Sequence, residues 1–207
     1  MLWEALLLGL LVGWYRKGTL ESLLYIKIRY VWLVFASVLL KFGLNYAAAN
    51  RIEAVSTWAV PVHYFSYLLL FIFIAFNWRL PGMKLFALGS LLNLAVISVN
   101  HGTMPVEVAR LGNDLVSILQ NKSDATHSIM GPDTRLRWLG DIIYLPYPRP
   151  RRISPGDIAL SFGLFVFLVK AMTTRFMYRV DMTKNFAPVI SGNPDFGKRT
   201  IRSLKRY

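Results

Sequence analysis

The residues of this chain able to do chemistry are few and scattered. It has three histidines, His63, His101 and His127, and no cysteine, so disulfides and thiolate metal sites are excluded. His63 falls inside a long apolar run and His101 directly follows another, and the topology derived below brings both toward the same end of a helix bundle. Two facing imidazoles could ligate a haem or another pigment. A metal site with Glu107 or Asp141 is conceivable as geometry, but no metal-ligand spacing is present and none is expected. Asp141 lies in "RWLGDIIYLPYPRPRR" beside an arginine cluster, Arg149, Arg151 and Arg152. His63, His101, Asp141 and the three arginines are therefore the candidate ligand-binding set. No nucleophile with a paired base, no carboxylate pair within an apolar run, no phosphate-binding glycine loop and no HExxH stands in the sequence, so no catalytic residue is assigned.

The elements that must position these residues are apolar helices. Of 207 residues 55% are apolar, above the usual globular share. Three windows, 57–76, 85–99 and 158–172, are long and nearly free of charge, and a fourth, 30–40, extends at both ends. The chain start adds a fifth, 5–15, read as a retained span because its positive charges, Arg16 and Lys17, follow the apolar run instead of preceding it. Gly9 and Gly13 in that run form a GxxxG pair that would let another helix approach closely. Asn93, central in the fourth span, is expected to act as interhelical glue.

An all-α integral membrane fold follows, with about five transmembrane helices over residues 1–173, a loop at 100–156 capping the bundle, and a basic tail at 174–207. Arg16, Lys17, Lys27 and Arg29 fall in the first connection, Arg79 and Lys84 in the third, and only Lys41 and Arg51 are assigned to the second. That bias places the N-terminus and the capping loop outside a bacterial inner membrane and the C-terminus in the cytoplasm. Most of the formal charge of +13 then belongs to the cytoplasmic face, where the tail would meet anionic lipid headgroups; nucleic acid is a poor explanation for it.

Within the cap, "MPVEVARLGNDLVSILQ" predicts one or two short amphipathic helices, and "YLPYPRPRR" an extended segment of polyproline character. "SPGD" places Ser154 at an N-cap and Asp157 three residues on, a capping box for the fifth span.

The order and spacing of "LLNLAVISVNHGTMPV", "DTRLRWLGDIIYLPYP" and "SPGDIALSFGLFVFLVKAM" resemble a family of small bacterial integral membrane proteins catalogued as a domain of unknown function. The resemblance covers most of residues 1–173 and implies a fold and a membrane address, with no activity attached. The first reading is an accessory or assembly subunit held in a larger membrane complex by its helix faces, outer cap and basic tail. The second is a transporter or binder of a small molecule, pigment or haem with a site under the outer loop, and the third, resting on the Arg and Asp residues of that loop alone, an enzyme acting on lipids or cell-envelope precursors.

Overall fold

The computed structural model describes residues 2–174 apart from 110, 122 and 149. Arg149 and the tail beyond Thr174 thus lie outside the described residues. Five apolar helices carry the fold: α1 (Leu2–Tyr15), α3 (Trp32–Ala49), α4 (Ala54–Phe76), α5 (Met83–Val99) and α7 (Pro155–Thr173), with a single turn, α2 (Glu21–Leu24), after the first. Trp32–Ala49, Thr57–Phe76 and Pro155–Thr173 are long and apolar enough to cross a membrane. The 14 residues of α1 and 17 of α5 are apolar but extend only about 21 and 25 Å.

Side-chain and loop contacts show how the five helices run. At one end the Thr19 N–H donates to Met172 O at 3.1 Å, tying the α1 exit to the α7 exit. At the same end Asn77, just past α4, donates from Nδ2 to Arg29 O at 2.8 Å and accepts the Arg29 N–H on Oδ1 at 2.9 Å. Arg16, Lys17, Lys27, Arg29, Arg79 and Lys84 gather in these connections against one acid, Glu21. At the opposite end Glu4 of α1 pairs with Arg151, Asn45 of α3 holds the backbone of Ala125, and His63 of α4 reaches Gly102. Successive helices therefore alternate between a basic end and a capped end.

The cap departs from the all-α expectation. Residues 104–106, at the head of the segment read as amphipathic helix, form a strand β1 (Met104–Val106), and only α6 (Asn113–Gln120) is helical. β1 pairs in parallel with β2 (His127–Ile129), and Asp141 bridges Val106 on the same small sheet. The proline-rich stretch is the far loop of a hairpin, β3 (Ile143–Leu145) antiparallel to β4 (Arg151–Ile153). The helical intervals begin only at Val108, and the β1 groups before it find partners in β2 and in the 141 segment, an option invisible without the distant strands.

Two glycine positions fix the helix ends and crossings. Gly82, in the left-handed region at φ 81°, starts α5, and a Cβ there would lie 2.1 Å from the Gly163 carbonyl oxygen of α7. One heptad on, a Cβ at Gly89 would fall 2.5 Å from Gly156 O. Gly82 and Gly89 on α5 thus oppose Gly163 and Gly156 on antiparallel α7, and the backbones meet where side chains would hold them apart. Gly9 and Gly13 play the same part between α1 and α7, where they face Leu168 and Met172. The bundle consequently has two bodies, α3 on α4 and α1 and α5 on α7, while α4 meets α5 over a much smaller contact.

Candidate functional site

A cavity of about 180 Å³ opens at that seam, directly under the cap. From the bundle, α3 supplies Lys41, α4 supplies His63 and Tyr67, α5 supplies Asn93 and α7 supplies Asp157. From the cap come Thr126, His127 and Asp141. Leu70, Ile97, Met104 and Leu160 complete the wall.

Polar side chains from the helices hold each part in place. The Asn45 carboxamide of α3 accepts the Ala125 N–H at 3.1 Å and donates to Thr126 Oγ1 at 3.2 Å, fixing the loop that delivers His127. His63 Nδ1 lies 2.9 Å from Gly102 O. A carbonyl can only accept, so Nδ1 carries the proton, and in the neutral form of the ring Nε2 is then an acceptor. Gly102 itself has φ 81°, and a Cβ there would sit 2.8 Å from Val60, so the chain can turn from α5 into β1 at this point only with glycine. Asn93 Oδ1 accepts from Ser154 Oγ at 2.8 Å, and its Nδ2 donates to Asp157 Oδ1 at 2.9 Å. Ser154 and Asp157 also close a capping box at the start of α7, so one asparagine joins that helix start to α5.

In the cap, Asp124, His127 and Asp141 form a carboxylate–imidazole–carboxylate row. The Asp124 Oδ2 oxygen lies 2.8 Å from His127 Nδ1, and His127 Nε2 lies 3.9 Å from Asp141 Oδ2. Burial pushes the Asp141 carboxyl up to about 7, with the charges of Asp157 and Asp124 adding to the rise and His127 opposing it. Burial alone would raise Asp124 as well, but its hydrogen bonds and charge interaction with His127 and its bonds to Thr126 hold it well below the usual carboxylate range. For His127, burial pulls downward and is outweighed by Asp124, then by Asp141 and Asp157, leaving the imidazole raised above its ordinary value.

The charge count puts Lys41 in the second connection, whereas the structure places it in the middle of α3. Its Nζ stands 4.0 Å from the centroid of the Tyr67 ring, and among the described residues no carboxylate lies within ion-pair distance of it. Aromatic contact stabilises an ammonium by about 0.5–2 kcal/mol, less than a paired carboxylate in a dry site would. The signal for Lys41 was available: extending the second helix through "KFGLNYAAA" encloses the lysine, and an ionisable group within a span is a functional candidate by default.

Of the other candidates, His63 and Asp141 line the cavity and His101 does not. His101 is exposed, at φ 56°, in a separate surface cleft with Asp133 and Arg135. Arg151 pairs with Glu4, while Arg152 pairs with Glu107 at 2.8 Å and donates to the backbone oxygens of Ile142 and Ala109. These arginines bind the cap to itself and to α1. His127, Lys41, Tyr67 and Thr126 are absent from the expected site because tertiary contacts bring them together, from Lys41 on Tyr67, 26 positions on, to Asn45 on Thr126, 81 positions on.

Comparison with known proteins bears on the same residues. A profile described as a family of unknown function, DUF5317, matches residues 25–169, which run from the turn before α3 to near the end of α7. The chain belongs to the DUF5317 family. Every residue named on the cavity wall falls within the matched range, whereas α1 precedes it. An uncharacterised protein of Thermotoga maritima is 38% identical over 109 residues, covering 50% of this chain and 60% of that relative. The chain thus spans less than two thirds of that relative's length. No solved structure matches.

Proposed function

We propose that this chain is a five-span protein of a bacterial inner membrane that binds a small polar solute in the cavity between its two helix bodies. The membrane reading draws support from the tryptophans. All six, at positions 3, 14, 32, 58, 78 and 138, are at least 48% exposed. Trp3, Trp58 and Trp138 stand toward the capped end and Trp14, Trp32 and Trp78 toward the basic end, the pattern of two interfacial aromatic belts. Between them the helices turn Leu7, Leu8, Leu11, Phe35, Leu39 and Leu68 outward, a surface that suits lipid tails and would be costly in water. Moving Lys41 out of the second connection leaves Arg51 as its only basic residue, which strengthens the charge bias for a cytoplasmic basic end and an external cap.

The observation that carries the binding reading is Lys41: an ammonium on a membrane helix, facing a partly open cavity of mixed polar and apolar lining, with an aromatic ring as its close partner and no carboxylate within ion-pair distance among the described residues. Such a charge is costly to retain unless something occupies the site with it. The cavity is smaller than the roughly 300–1,000 Å³ of drug-sized pockets, which favours a compact solute over a tetrapyrrole. An accessory role in a larger complex draws on the outward apolar faces, which lipid covers equally well; the cavity favours binding. The test is small-molecule extraction from protein purified out of native membranes in mild detergent. Wild-type protein should release a stoichiometric polar metabolite that Lys41→Met protein lacks, and equal, empty extracts from both would refute the reading.

A further inference from the structure

We infer that the solute is a zwitterion, a compact molecule whose anionic group meets Lys41 and whose ammonium meets Asp141 and His63. This rests on the binding reading above and adds the chemistry of the ligand. Most polar atoms on the wall are already committed. Both ends of the Asn93 amide are engaged by Ser154 and Asp157, and Asp157 Oδ2 accepts the Ser154 N–H at 3.2 Å. Thr126 Oγ1 is held by Asp124 and Asn45, and His127 Nδ1 by Asp124.

Tyr67 Oη and His127 Nε2, the latter 3.9 Å from Asp141 Oδ2, have no hydrogen-bond partner among the described residues, and three further groups set the poles of the site. The Lys41 ammonium can only donate; it stands over the Tyr67 ring and has no hydrogen bond or ion pair among the described residues. Nε2 of His63 can accept, since Nδ1 is used by Gly102, and it has no hydrogen-bond partner among the described residues. Asp141 Oδ1 is buried without any hydrogen-bond partner among the described residues, on a residue only 6% exposed. A buried carboxyl oxygen left open calls for a donor once the group ionises, above the pH of about 7 to which burial lifts it, and an ammonium at a cavity wall calls for an acceptor.

A single-charge ligand meets half of this demand. An anion would satisfy Lys41 but bring negative charge toward Asp141 and Asp157, and a cation would answer Asp141 while leaving Lys41 bare beside a second positive charge. A zwitterion answers both poles and carries no net charge into a site of low polarity. The volume of about 180 Å³ equals roughly six waters at about 30 Å³ each, enough for a short amino acid or a phosphoethanolamine group. The shared chemistry, an ammonium close to an anion, could come from a free amino acid or from a zwitterionic lipid headgroup.

Binding to the full chain in detergent distinguishes these cases, with glycine, O-phosphoethanolamine, acetate and methylammonium as probes in calorimetry and thermal-shift measurements. At least one zwitterion should bind about tenfold or more tightly than either single-charge fragment, and Lys41→Met and Asp141→Asn should each weaken it by a similar factor. Preference for glycine assigns a free amino acid, and preference for O-phosphoethanolamine a headgroup. Acetate binding as tightly as the zwitterions, unchanged in Asp141→Asn, would overturn the inference and leave the binding reading standing. A copurifying solute without an ammonium would do the same. No binding by any probe, together with empty extracts from native membranes, would overturn both. The comparison among the four probes needs only wild-type protein, so a variant that fails to fold does not block it.

Discussion

Raising the pH should loosen this protein through Asp141. Burial lifts the Asp141 carboxyl from its ordinary value of 3.8 to about 7 in the native chain, so the folded state holds a proton that the unfolded state has already released. An acid with a raised native pKa favours folding at low pH, and that contribution fades as pH climbs from the unfolded toward the native value. Between about pH 5.5 and pH 8.5 the native carboxyl stays protonated for about 1.5 pH units, which at 1.36 kcal/mol per unit removes on the order of 2 kcal/mol. For a chain of this size that corresponds to a fall of about 4–8 °C in melting temperature. His127 acts in the same direction: its raised pKa stabilises below the ordinary imidazole value and the benefit is lost as pH rises through the native one. Its side chain is 36% exposed, so solvent screening reduces its share. Asp124, held low, loses its contribution only as pH falls below the ordinary carboxylate range, outside this window. The assay is thermal unfolding of detergent-solubilised wild-type and Asp141→Asn protein across the window. Wild-type melting should drop with pH and the variant's should drop much less. A flat or rising wild-type profile, or equal slopes in both, would refute the assignment of the buried proton to Asp141.

The remaining expectations concern packing and topology. Gly156→Ala would put a Cβ 2.0 Å from Asn93 Oδ1 and 2.8 Å from Gly89 O, so the α5–α7 crossing must open and Asn93 must lose its bonds; the cost should be about 2 kcal/mol or more. Gly43→Ala, with open space around it on α3, should leave melting unchanged or raise it slightly, and similar losses from both variants would show that the glycine crossing is not what matters. Single cysteines in this cysteine-free chain report sidedness: Trp138→Cys in the cap should react with a membrane-impermeant maleimide on intact cells, and Arg79→Cys should react only after permeabilisation. The reverse pattern would invert the orientation.

Much of the fold was legible in the sequence because lipid imposes a simple requirement. Apolar runs set the helices, and "SPGD" set the start of α7 to the residue, since a capping box is a local device. The cap was not legible in the same way. Val108, Leu111, Leu115 and Ile118 keep a helical spacing, yet residues 104–106 just before them pair with residues 127–129 more than 20 positions away, and the pairing decides. The site followed the same division. His63 and Asp141 stand out by residue type alone. Lys41 was hidden by a span drawn too short, and His127 by dependence on Asn45, which reaches it from a helix 80 residues earlier through Ala125. The glycine register between α5 and α7 was readable only as two unconnected pairs, Gly82 with Gly89 and Gly156 with Gly163, because antiparallel opposition is a tertiary fact.

The most direct test of the cavity as a binding site is an experimental density map of the protein in lipid nanodiscs prepared from native membranes. Density for a compact non-protein molecule should bridge the Lys41 ammonium and the Asp141 carboxyl beneath the cap. A closed seam, with Lys41 paired to a carboxylate of its own chain and no room between α3, α4, α5 and α7, would contradict the account.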